Sequence, residues 1–132
     1  MKWPTIKYIR EQAKKGPKHA LAVSIEMWQC RVDATENELK RMYHGEPRYA
    51  CLCGWCGLCV YYKIPPSYLV CLDCPLNNSK YMCCLEFEDV YSLAQADTDD
   101  FDYKKYHKAC MALLNRLKSI DPNKMPKKEK SA

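Results

Sequence analysis

The sequence predicts a mainly α-helical protein with little or no sheet, in which N- and C-terminal helices surround a cysteine-rich middle segment. Apolar residues recur at steps of three and four near both ends of the chain, which is the spacing of one helix face. Eight of the ten cysteines fall within Cys51–Cys84. The length of 132 residues fits a single domain.

Two helices are expected in the N-terminal part of the chain. Pro4 suits the first turn of a helix, and Gly16-Pro17 ends that helix. A second helix is expected from about Lys18 to Val32. Its apolar stripe consists of Leu21, Ile25, Trp28 and Val32, with Ala22 and Met27 beside it.

Two short helices are predicted next. Thr35 to Glu38 has the form of a capping box, so a third helix should run to about Tyr43. Beyond the cysteines, Glu86 to Ala96 is compatible with an acidic helix that presents Phe87, Val90 and Leu93 or Ala94 on one face.

The last helix has the strongest periodicity in the chain. Its apolar face consists of Tyr106, Cys110, Leu113, Leu117 and Ile120. Asp97, Thr98 and Asp99 are candidates for its N-cap, and Asp121-Pro122 ends it. We expect it to pack on the face of the second helix that carries Leu21 and Trp28.

The cysteine spacing predicts a zinc knuckle. Two C-x-x-C pairs, Cys56–Cys59 and Cys71–Cys74, are separated by eleven residues. Two such pairs can place four thiolates around one Zn²⁺ at about 2.3 Å. The predicted ligands are therefore Cys56, Cys59, Cys71 and Cys74, with Cys53, Cys83 and Cys84 in reserve.

Two other roles for the cysteines stay open. Cys53-x-x-Cys56-x-x-Cys59 together with Cys74-Pro75 partly matches the bacterial ferredoxin pattern, so an iron–sulfur cluster is the alternative cofactor. A secreted disulfide protein is the second alternative. The N-terminus has no apolar run typical of a secretory signal, so we expect a cytoplasmic protein with reduced thiols.

Charge is segregated along the chain. The net charge is +5, yet Glu86 to Asp102 contains seven acidic residues and no Lys or Arg. Lys residues concentrate near both ends. We expect a single domain over residues 1–123, with the metal lobe at 51–84, and a disordered Lys-rich tail at 124–132.

Three stretches resemble a group of small uncharacterised proteins encoded by bacteriophages. They are CGLC at Cys56–Cys59, CLDCPL at Cys71–Leu76 and HKACMALLNRLKSI at His107–Ile120. The resemblance implies a zinc-stabilised accessory protein in the cytoplasm of an infected bacterium. It implies no known activity.

No catalytic motif is present, and a closed Cys₄ zinc leaves no coordination position for a substrate. We therefore predict a non-enzymatic protein that engages or inhibits a host or phage protein and makes no membrane contact. The predicted partner-binding residues are Asp97, Asp99, Asp100, Asp102 and Trp55. Nucleic-acid binding through the Lys-rich ends is the alternative function.

Overall fold

The computed structural model describes residues 3–43, 58, 61, 85–94 and 100–125. Within them the chain forms five α-helices, a short 3₁₀ turn at Pro122–Lys124 and no β-strand. The helices are α1 (Ile6–Lys14), α2 (Pro17–Asp33), α3 (Glu36–Tyr43), α4 (Leu85–Ala94) and α5 (Tyr103–Lys118). The prediction of a mainly helical protein is therefore confirmed for this part of the chain.

The break between α1 and α2 lies where the sequence predicts it. Gly16 adopts a φ of 136°, a backbone conformation that residues with a Cβ rarely adopt. Pro17 follows as the first residue of α2, where its missing N–H is not needed. At the start of α1, the Thr5 hydroxyl accepts a hydrogen bond from the Tyr8 amide at 3.1 Å.

The predicted capping box of α3 is confirmed. The Glu38 amide donates to the Thr35 hydroxyl, and the Glu38 carboxylate accepts from the Thr35 amide, both at 3.2 Å. Hydrogen bonds from the Thr35 amide and hydroxyl lower the pKa of Glu38 below its ordinary value. This cap therefore stabilises α3 at neutral pH and loses strength as the pH falls through that lowered pKa.

The N-cap of α5 is Asp102, so the prediction of Asp97, Thr98 or Asp99 is wrong. The Asp102 carboxylate accepts from the Lys105 amide at 3.1 Å. Phe101, just before the cap, is buried and packs on Tyr106 with ring centroids 5.2 Å apart. This aromatic contact is a hydrophobic staple, and it selects Asp102 over the earlier polar residues because Phe101 must enter the core.

α2 is the central helix of the described structure. It packs against α1 on one side and α5 on another, and α4 packs against α5. The predicted contact between α5 and α2 is thus confirmed. The core that these helices share includes Ile9, Ala13, Leu21, Val23, Met27, Trp28, Leu39, Val90, Ala94, Tyr106, Leu113, Leu114 and Leu117.

The buried surface of α2 is wider than the predicted stripe. Ala22 is exposed, and Ile25 is partly buried, whereas Ser24 and Arg31 are fully buried. A single stripe describes a helix with one neighbour, but α2 contacts two helices and the 3₁₀ turn. This additional packing buries residues on more than one side.

The C-terminal part of the described chain remains close to α2. The 3₁₀ turn at Pro122–Lys124 contacts this helix, and Met125 packs against the core. No helix among the described residues is long and apolar enough to cross a membrane.

Candidate functional site

Most residues of the predicted site lie outside the described residues. They are the predicted ligands Cys56, Cys59, Cys71 and Cys74, the reserve cysteines Cys53, Cys83 and Cys84, and Trp55, Asp97 and Asp99. Asp100 and Asp102 are described, and both are exposed. Asp102 has a structural role as well, because it caps α5.

Leu58 connects the cysteine-rich segment to the helical core. It occupies the middle of the first C-x-x-C pair, and its side chain is 0% exposed. Its amide donates a hydrogen bond to the Ser24 hydroxyl at 2.9 Å. Tyr61, three residues later, is partly buried against the same core. Leu58 is therefore anchored on α2 by both its side chain and its backbone amide.

Ser24 is positioned by its own helix to accept this hydrogen bond. Its hydroxyl donates to the Ala20 carbonyl at 2.7 Å, which orients an oxygen lone pair away from the helix. A serine in the middle of a helix weakly disfavours that helix, but here it satisfies a backbone amide that would otherwise be buried without a partner. Sequence periodicity does not reveal this role.

A second buried polar group joins α2 to α5. The guanidinium of Arg31 lies 4.4 Å from the centroid of the Trp28 ring, and its positive charge acts on the Tyr106 hydroxyl of α5. The same charge acts on the Cys110 thiol. All four side chains are almost completely buried. These contacts therefore determine which faces of α2 and α5 pack together.

Burial controls the chemistry of Cys110. Loss of solvent raises the pKa of its thiol to about 11, although the nearby Arg31 charge acts in the opposite direction. The thiol therefore stays protonated at neutral pH, whereas metal ligands and nucleophiles are thiolates. Cys110 is a core residue in this structure.

Cys30 should react with alkylating agents at least about tenfold faster than Cys110 at pH 8. Cys30 is half-buried, whereas Cys110 is fully buried. The pKa of Cys30 is also raised, chiefly by burial and then by Glu26 and Asp33, so exposure is the larger difference between the two thiols. Timed iodoacetamide labelling with peptide mass spectrometry measures both rates. Equal rates in the folded protein would contradict the packing described for α5, and equal rates in urea are the control.

His107 and Cys110 do not form a metal site with any other described residue. Cys110 enters the core, whereas the His107 ring is partly buried and lies 5.9 Å from the Tyr103 ring. No group of three or more His, Cys, Asp or Glu side chains in the described part of the chain could hold a metal ion.

A surface cleft lies where the N-terminal segment meets α2. Its volume is about 450 Å³, and it is lined by Trp3, Pro4, Thr5, Tyr8 and Glu26. The Tyr8 hydroxyl donates to a Glu26 carboxylate oxygen at 3.0 Å. This hydrogen bond, more than burial, raises the pKa of Tyr8. The sequence gives no signal for this cleft, because the two residues of its hydrogen bond, Tyr8 and Glu26, are eighteen positions apart.

No protein-family model, curated protein or solved structure matches the chain. The resemblance to bacteriophage proteins therefore stays a prediction.

Proposed function

We propose that this protein is a non-enzymatic, zinc-stabilised binding protein whose cysteine-rich lobe is docked on a helical core. The observation that carries the proposal is the complete burial of Leu58 within the Cys56–Cys59 pair. A buried side chain and a bonded amide hold the middle of the pair, while the cysteines on either side supply the ligand chemistry.

Zinc binding would stabilise the folded cysteine-rich segment. Folding of the cysteine-rich segment costs conformational entropy, and burial at Leu58 and Tyr61 offsets only part of that cost. Metal binding by two C-x-x-C pairs adds its free energy to folding. Four thiolates, from Cys56, Cys59, Cys71 and Cys74, suit a closed tetrahedral zinc site. An iron–sulfur cluster is the alternative that the same sulfur ligands allow.

The purified protein is expected to contain one zinc ion per chain, and Cys56→Ser or Cys74→Ser should lose it. Cys30→Ser is the matched control, because Cys30 lies on α2 and is partly exposed, so that it should retain both fold and metal. Elemental analysis gives the stoichiometry. Equal metal loss in all three variants would contradict the ligand assignment. Iron with visible absorption would instead support the cluster.

The proposed role in an infected bacterial cell is to engage or inhibit a host or phage protein. A Cys₄ zinc has no open position for substrate, which favours binding over catalysis. The acidic segment from Glu86 to Asp102 lies next to the cysteines in sequence and would repel phosphate. Asp100 and Asp102 are exposed and can face a partner. A protein partner therefore fits better than nucleic acid.

Replacing Asp97, Asp99, Asp100 and Asp102 with Asn should weaken binding to a captured partner by about tenfold or more, since charge complementarity is lost. Asn also caps helices well, so the exchange at Asp102 should preserve α5. Circular dichroism and zinc content are the controls, and calorimetry gives the affinity. Unchanged partner binding, together with micromolar binding to random duplex DNA at physiological salt, would favour the nucleic-acid alternative.

A further inference from the structure

The cleft at the junction of the N-terminal segment and α2 combines aromatic walls with a carboxylate. Trp3 packs against the core, which holds its ring in place, and Tyr8 is 36% exposed. Glu26 projects from α2 and is exposed. These three side chains line one volume of about 450 Å³. Ligand pockets in proteins are commonly of this size.

A hydrogen bond orients the Glu26 carboxylate within the cleft. The Tyr8 hydroxyl donates to one of its oxygens at 3.0 Å. No Lys or Arg side chain in the described part of the chain forms an ion pair with Glu26. The donor is an uncharged phenol, so the hydrogen bond places no positive charge beside the carboxylate.

The aromatic rings and the carboxylate of the cleft together favour a cation as ligand. The faces of Trp and Tyr rings attract ammonium and guanidinium groups, and a carboxylate adds an ion pair and hydrogen bonds. An anion would be repelled by Glu26. A neutral apolar ligand would remove water from that carboxylate without replacing its hydrogen bonds, which is unfavourable.

We propose that this cleft binds an Arg or Lys side chain from a basic peptide segment of a partner protein. The positive charge enters beside Glu26, and the aliphatic part of the side chain lies against Trp3 and Pro4. The protein has a net charge of +5, so long-range electrostatics do not attract a basic segment. The affinity for such a segment must come from contacts within the cleft. The site depends neither on zinc nor on the acidic segment near α5, so its failure would leave the proposed function untouched.

The test uses a fluorescein-labelled peptide of alternating Gly and Arg, and the same peptide with citrulline in place of arginine. Citrulline has nearly the same shape but no charge. In the full-length protein we expect the arginine peptide to shift the Trp3 indole N–H resonance and to bind about fivefold or more tightly than the citrulline peptide. Trp3→Leu assigns that resonance, because it removes it.

Glu26→Gln should weaken binding of the arginine peptide by about fivefold, whereas Glu11→Gln should change it by less than about twofold. Glu11 is an exposed carboxylate on α1 outside the cleft, so it controls for general electrostatics. Both substitutions are at exposed positions, and a native-like spectrum verifies the fold. Equal losses in the two variants, or an unshifted Trp3 resonance, would overturn the proposal.

The Lys-rich tail of this chain is the competing occupant of the cleft. A chain ending at Met125 lacks Lys127, Lys128 and Lys130. If its affinity for the arginine peptide stays within about twofold of the full chain, an external segment is supported. A gain of about tenfold or more would show that the tail occupies the cleft, and would overturn the assignment to a partner.

Discussion

Replacing Trp28 with alanine is expected to lower the free energy of unfolding by about 3–5 kcal/mol. The Trp28 side chain is 0% exposed on the central helix, so its loss leaves a large cavity between the helices. It also removes the aromatic face that lies 4.4 Å from the buried Arg31 guanidinium. Small domains are stable by only about 5–15 kcal/mol, so this single change brings the protein close to unfolding.

Urea unfolding followed by far-ultraviolet circular dichroism measures the effect of Trp28→Ala. Trp3→Ala is the matched control, because it removes the same side chain from a partly buried position at the edge of the core. We expect that control to lose less than half as much stability. A loss below about 1 kcal/mol for Trp28→Ala would contradict the central position assigned to α2.

Leu58→Ala is expected to lower the free energy of unfolding by about 2–4 kcal/mol and also to weaken retention of the proposed zinc ion. The side chain is completely buried although it belongs to a cysteine pair. Its removal leaves a cavity beside α2 and loosens the C-x-x-C pair that surrounds it. Zinc should therefore pass to a chelator at a lower chelator concentration than in the unmodified protein.

Leu114→Ala separates the two effects of Leu58→Ala. Leu114 is 2% exposed in the helical core, so its truncation should cost a similar free energy of unfolding. It lies on α5, remote in sequence from the predicted ligand cysteines, and should leave zinc retention nearly unchanged. Equal zinc loss in both variants would mean that general destabilisation, and not the anchor, controls the metal.

The helices could be predicted from the sequence because their signals are local. Gly16-Pro17 separates α1 from α2, and Thr35 with Glu38 caps α3 through contacts between near neighbours. The start of α5 cannot be predicted from polar residues alone, because several of them are equally plausible caps. The choice of Asp102 depends on the contact between Phe101 and Tyr106, which the dipeptide Phe101-Asp102 could have suggested.

The sites that depend on distant contacts could not be predicted. Ser24 and Leu58 are thirty-four residues apart, and a serine within an apolar stripe gives no sign of its partner. Arg31 is buried because Trp28 and Tyr106 meet it from two helices, whereas an isolated arginine is usually exposed. The metal ligands stay predictions from cysteine spacing, because they lie outside the described residues.

Hydrogen exchange at the Leu58 amide tests most directly whether the cysteine-rich lobe is a metal-dependent unit docked on the helices. This amide donates to Ser24 inside the core, so exchange requires Leu58 to separate from α2. With metal bound, we predict strong protection, and addition of a chelator should accelerate exchange by at least about a hundredfold, or roughly 2.7 kcal/mol. Protection that is unchanged after the chelator is added, or an amide that exchanges freely from the start, would contradict the account.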